Sequence, residues 1–119
     1  MPAIDDALKT RLSGDREITI TVTGRNSGRA IPITVWFVLD DSKLCLLPVN
    51  GSDTQWYKNV LKNPSIRVNA AGAQADFKVV PVTDRTQVSS VIDKFRDKYG
   101  DSGVRLYSKL DVAVLAQAH

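Results

Sequence analysis

Apolar and polar positions alternate strictly through Glu17, Ile18, Thr19, Ile20, Thr21, Val22 and Thr23, so Ile18, Ile20 and Val22 share one face and the threonines the other. A period of two in β-branched residues predicts a half-buried strand. A second strand follows over 31–39, with Ile33, Val35 and Phe37 on one face and Thr34 and Trp36 on the other. Pro32 stands near its start, where a missing N–H is tolerable. Asp40, Asp41 and Ser42 predict a tight turn into a third strand over 43–49, and links this short join antiparallel neighbours. Pro48 cannot donate to a ladder, so regular pairing weakens there.

The period then lengthens. Trp56, Tyr57, Val60 and Leu61 fall on one face of a helix that runs to Lys62, with Ser52 or Asp53 as its cap, Lys58 and Lys62 opposite, and Asn59 at the edge beside Trp56. Asn63-Pro64 ends it. Strands are predicted over 65–70 and 74–82, with Ala71-Gly72 as the turn between them and Pro81 breaking the second near its end. Asp84 caps a second long helix, whose stripe is Val88, Val91, Ile92, Phe95 and Tyr99 and whose stop is Gly100. The opposite face, Asp93, Lys94, Arg96, Asp97 and Lys98, reads as solvated. A last strand over 112–116 closes the set, and Ile4, Ala7, Leu8 and Leu12 predict a short helix over 5–12. The expected fold is mainly β (α+β): a barrel of about six antiparallel strands with helices plugging or flanking it. A barrel this small has little interior room, so a ligand belongs on its outside or at a subunit boundary.

Composition narrows the chemistry. The 119 residues fit a single domain over 1–119, with ordinary apolar (43%) and charged (24%) fractions. The net charge of +3 suits an anionic small molecule, but there is no dense basic stripe of the kind that marks nucleic-acid binding. No apolar run is long enough to span a bilayer, and the first residues lack the basic-then-apolar order of a secretion signal, so a cytoplasmic protein is expected. The lone cysteine, Cys45, lies in an apolar run and reads as a buried thiol. The lone histidine, His119, is terminal. One His and one Cys build no zinc site, and a Ser-His-Asp or Cys-His group would have to use a frayed end.

Two patches remain. The first is Thr23-Gly24-Arg25-Asn26-Ser27-Gly28-Arg29, between two strands. Glycines let backbone N–H groups turn toward an anion, and arginine adds a planar fork of donors suited to phosphate. The same residues also suit a plain solvated turn. No Gly-Lys-Ser/Thr run opens a helix here and no helix follows, which excludes a P-loop and a dinucleotide fingerprint. The second patch is Pro48-Val49-Asn50-Gly51-Ser52 followed by Trp56-Tyr57-Lys58-Asn59. A strand hands over to a helix start, and an aromatic pair beside an amide suits a flat, polar ring system. The alternative is that Trp56 and Tyr57 are simply the helix's core face.

Taken with Val35-Trp36-Phe37-Val38 and the run from Trp56 to Pro64, these patches resemble the deazaflavin-dependent nitroreductase family, part of the split β-barrel flavin-binding group that includes pyridoxamine phosphate oxidases. The match runs in order from about Ile18 to Val68. The resemblance implies a split β-barrel, a homodimer, and coenzyme F420 as cofactor with FMN as the alternative. It implies cofactor contacts from Arg25, Asn26, Ser27, Gly28 and Arg29 at the phosphate, from Pro48, Val49, Asn50 and Gly51 near the ring, and from Thr34, Trp36, Trp56 and Asn59 around it. Tyr57 is the expected proton donor or acceptor-positioning hydroxyl and Ser52 the second choice. The implied reaction is hydride transfer to a small-molecule acceptor such as a quinone or nitro compound. The chain departs from the family pattern at Ala30-Ile31, where a second basic residue is common, and at Asn50, where lysine is common.

Overall fold

The computed structural model describes residues 16–40, 43–70 and 73–118. The helix expected over 5–12 and both the 41–42 and 71–72 turn residues lie outside them.

Six strands form a closed antiparallel barrel in the order β1-β2-β3-β6-β5-β4, with β4 returning to β1. They are β1 (Glu17–Thr23), β2 (Ala30–Asp40), β3 (Lys43–Leu46), β4 (Ser65–Ala70), β5 (Ala73–Val82) and β6 (Ala113–Ala118). Alternation decides which side chains enter. Ile18, Ile20, Val22, Phe37, Leu44, Leu46, Val68, Phe77 and Val114 fill the barrel, each buried. Full burial of a residue such as Phe37 or Phe77 contributes roughly 1.5–3 kcal/mol.

The two helices do different work. Helix α1 (Gln55–Lys62) seats Trp56, Tyr57 and Val60 in the barrel's own core. Helix α2 (Arg85–Val104) lies on the outer face, where Val88, Val91, Phe95 and Tyr99 meet Trp36, Cys45 and Ala113 of the sheet and Leu47 just past β3. Asp84 caps α2 through its carboxylate, which accepts the Gln87 N–H at 3.0 Å. Gly100 breaks it with φ 81 and ψ 169, a conformation suited to glycine, before one more turn to Val104.

Several expectations need correction. Neither Ser52 nor Asp53 caps α1. Gly51–Asp53 forms a 3-10 turn, which delays the helix so that Thr54 takes the capping position. Its hydroxyl serves the loop instead, accepting the Asn50 N–H at 2.8 Å. The inward face of α1 is rotated: Asn59 is 5% exposed and Leu61 52%. Pro81 does not break β5, which runs on to Val82 with Pro81 opposite Val114. There β5 has passed its pairing with β4, which ends at Lys78, so a missing N–H disturbs no second ladder. Lys98 is not purely solvated: its ammonium donates to the Phe37 carbonyl at 2.9 Å and lies 3.6 Å from the Phe37 ring centroid.

Candidate functional site

The site begins where two strands part. β2 pairs with β3 from Phe37 opposite Leu46 to Asp40 opposite Lys43, and β3 stops at Leu46. Continuing that register would set Trp36 opposite Leu47 and Thr34 opposite Val49, but Pro48 stands between and has no N–H to give. From Ala30 to Trp36, β2 therefore pairs with β1 alone among the described residues, and its other edge faces an opening. A strand edge of this kind presents backbone donors and acceptors.

That opening is a cleft of about 280 Å³ lined by Ile33, Thr34, Val35 and Trp36 from β2, Leu47, Val49 and Thr54 from the loop opposite, Trp56 from α1, and Leu106 and Tyr107 beyond α2. No lining side chain is charged. The chain has only two tryptophans, and both are here. Trp36 is held by stacking on Tyr99, centroids 4.4 Å apart and planes 10° apart. The Tyr99 hydroxyl is locked in turn: it lies 2.6 Å from the Arg16 carbonyl and 2.8 Å from that of Phe37, and accepts the Phe37 N–H at 3.0 Å. Burial raises the Tyr99 pKa, which keeps it a neutral donor.

The basic turn lies at the α1 end of the cleft. It is closed by Gly24 N–H to the Arg29 carbonyl and Gly28 N–H to the Gly24 carbonyl, both at 2.9 Å, with Gly28 at φ 70. Arg25 does not project into solvent. Its guanidinium donates to Asn59 Oδ1 at 2.7 Å and Gln55 Oε1 at 2.8 Å, and its own N–H reaches Asn59 Oδ1 at 3.2 Å. Lys62 closes the junction by donating to the Arg25 carbonyl at 3.1 Å. The turn and the start of α1 thus converge, since Gln55 lies between Thr54 and Trp56 of the cleft. Asn26, Ser27, Gly28 and Arg29 stay exposed on the turn.

Of the residues expected to contact a cofactor, Thr34, Trp36, Val49 and Trp56 line the cleft, and Arg25 and Asn59 join each other beside it. Pro48 is buried; Asn50 and Gly51 face another loop, with Asn50 Oδ1 accepting from the Ser108 hydroxyl at 2.6 Å. The two expected catalytic hydroxyls are not in the cleft wall. Tyr57 points into the barrel core, its pKa raised by burial and by Asp111. Ser52 gives its hydroxyl to Asp111 Oδ2 at 2.7 Å. Cys45 is a buried thiol, pushed up to about 11 chiefly by burial and then by Asp40. Ile33, Val35, Leu47, Thr54, Leu106 and Tyr107 are cleft residues that the sequence reading passed over. For Leu106 and Tyr107 no signal existed, because their segment has no period.

A family model described as "Uncharacterized protein conserved in bacteria (DUF2255)" matches residues 9–116. No curated protein matches the chain in sequence. Solved structures share its fold. An F420-H2 dependent reductase, FDR-A, superposes with a TM-score of 0.68 at 18% identity, over 86% of this chain and 94% of that one. HutZ, the heme storage protein from Vibrio cholerae, gives a TM-score of 0.73 at 14% identity, over 99% and 92%. A third, described as a domain-swapped dimer, gives 0.69 at 18% identity, over 86% and 80%. The architecture is the split β-barrel of these proteins.

Proposed function

The chain belongs to the DUF2255 family, and from that premise we propose that it binds a flavin-like cofactor in the β2–α1 cleft and passes hydride from reduced coenzyme F420 to a small electron-poor acceptor such as a quinone or nitro compound. The observation that carries this is the uncharged cleft bounded by both tryptophans and by the open edge of β2, with the basic turn at its end. A flat heterocycle needs such a place: apolar walls for its faces, backbone groups for its polar rim, and cations outside for its phosphate.

When bound, reduced F420 supplies the hydride, so the protein needs no nucleophile of its own. The chain's part is to hold and orient. Trp36, fixed against Tyr99, and Trp56, fixed in the core, supply rigid apolar contact. The β2 edge offers donors and acceptors to the ring's rim. Arg29 is the exposed guanidinium of the turn and meets the phosphate, while Arg25 secures the turn to α1. Tyr57 and Ser52 have structural roles, in the core and in the loop contact with Asp111, and the one proton that accompanies the hydride comes from solvent. FMN fits the same cleft and is the alternative cofactor. A homodimer in the cytoplasm completes the proposal; the domain-swapped neighbour supports the dimer. No helix among the described residues is long and apolar enough to cross a membrane.

Heme, suggested by the HutZ likeness, suits the cleft less well. Its iron needs an axial His, Cys, Met or tyrosinate. Among the lining residues only Tyr107 qualifies, and burial raises its pKa, against the ionised form.

The test mixes the protein with reduced F420, and separately with reduced FMN, and a panel of quinones and nitroaromatics. Protein-dependent oxidation of one cofactor supports a reductase. Saturable binding with no acceleration for any acceptor would make the protein a carrier.

A further inference from the structure

Two loops face each other across the cleft mouth, and they are zipped together in register. Contacts recur at a constant sequence offset: Val49 with Ser108, Asn50 with Lys109, Ser52 with Asp111. Ser108 N–H donates to the Val49 carbonyl at 2.9 Å and its hydroxyl to Asn50 Oδ1 at 2.6 Å. Asn50 and Lys109 form an isolated parallel bridge. The N–H and hydroxyl of Ser52 donate to the two carboxylate oxygens of Asp111, at 3.0 and 2.7 Å. Lys109 reaches back to Asp53 at 3.3 Å and to Asp111 at 3.7 Å. Gly51, at φ 58, lies so close that a Cβ there would run into Asp111 Oδ1 and within 3.0 Å of the Lys109 carbonyl oxygen.

We propose that this ladder is a positioning device that holds the cleft open, making Ser108 and Asp111 determinants of ligand affinity although neither touches the ligand. The proposal rests on the reading of the cleft as the ligand site. Its physical basis is the apolar side chains at the mouth. Leu106 is 68% exposed and Val49 50%, beside an uncharged cleft walled by indole and aliphatic groups. Burying apolar surface is favourable, so a segment free to move would fold Leu106 into the cleft and cover Trp36. The ladder fixes the residues on either side of that outcome: Val49 directly, and Leu106–Tyr107 through Ser108. The hydrogen bonds made by the Ser108 and Asp111 side chains oppose that movement.

The sign of the effect separates this from ordinary loosening. In the ligand-free protein, acrylamide quenching of tryptophan emission reports chiefly Trp36 in the cleft wall, because Trp56, the other tryptophan, is only 5% exposed. In the double variant Ser108→Ala/Asp111→Ala, quenching should fall below that of the parent, and FMN or F420 should bind about 5- to 30-fold more weakly. Adding Leu106→Ala removes the plug and should restore both. Unchanged or increased quenching in the double variant, or no recovery on adding Leu106→Ala, overturns the proposal. Ser52→Ala, with a milder loss, provides the same comparison if the double variant does not fold. Should neither cofactor bind the parent, the cofactor assignment fails, while the quenching series still decides the ladder.

Discussion

Arg25 meets a buried amide oxygen, and that contact sets what its removal would do. Asn59 is 5% exposed and takes two of its donors from Arg25. In Arg25→Ala the guanidinium donor is lost and one backbone donor remains, so unfolding free energy should drop by about 1–3 kcal/mol, read as a lower denaturation midpoint. Arg29→Ala touches only exposed surface and should leave that midpoint within roughly 0.5 kcal/mol of the parent. Its effect belongs instead to cofactor affinity, where the loss should shrink as salt rises, because an exposed guanidinium is screened. A pair of arginines that look equivalent in the sequence is thus divided by one contact. Cys45 gives a second residue-scale test: a thiol with a pKa of about 11 inside the sheet–helix core should not react with a disulfide reagent at pH 8 until the protein unfolds. Asp111 gives a third. Burial pushes its pKa up, but hydrogen bonds from Ser52 and the nearby Lys109 charge outweigh that and hold it below the usual 3.8. Its contribution is therefore complete above pH 3.8 and fades as pH falls through the lower folded value. With Lys109, Asp53 and Tyr57 as its titratable neighbours, tryptophan quenching should stay flat from pH 8 to 5 and change only in that acid range.

At the scale of elements, the cleft exists because β3 ends early. If the outer edge of β2 is open from Ala30 to Trp36, the amides that point away from β1 there should exchange with solvent faster than those of Val38 to Asp40. Cofactor binding should slow them; exchange rates equal along the strand would mean the edge is closed. Most elements were legible because their signals are local. β1 and β4 were read to their observed bounds from period-two patterning, and the Asp84 cap and Gly100 break of α2 from residue type alone. The start of α1 was misread because a Ser, an Asp and a Thr all suit a cap, and only the 3-10 turn at Gly51–Asp53 selects Thr54. The burial of Asn59 over Leu61 was not legible either. It depends on Arg25, thirty-four positions earlier in the chain, reaching across to α1.

For the molecule as a whole, the order of elements and the barrel class follow from short antiparallel links and an apolar face on every strand, whereas the cleft does not. Its lining comes from β2, the loop after β3, α1 and the segment after α2, and only the fold brings these together. Thr34, Trp36, Val49 and Trp56 were the cleft residues named from the sequence, and the position of the two tryptophans offers the most direct test of the central claim, that one apolar cleft between the open edge of β2 and the start of α1 holds a flat cofactor ring. Titrating the protein with F420 and, in parallel, with FMN while following tryptophan emission should give saturable quenching by at least one of them. Emission that stays unchanged through both titrations, in a protein shown to be folded, would contradict it.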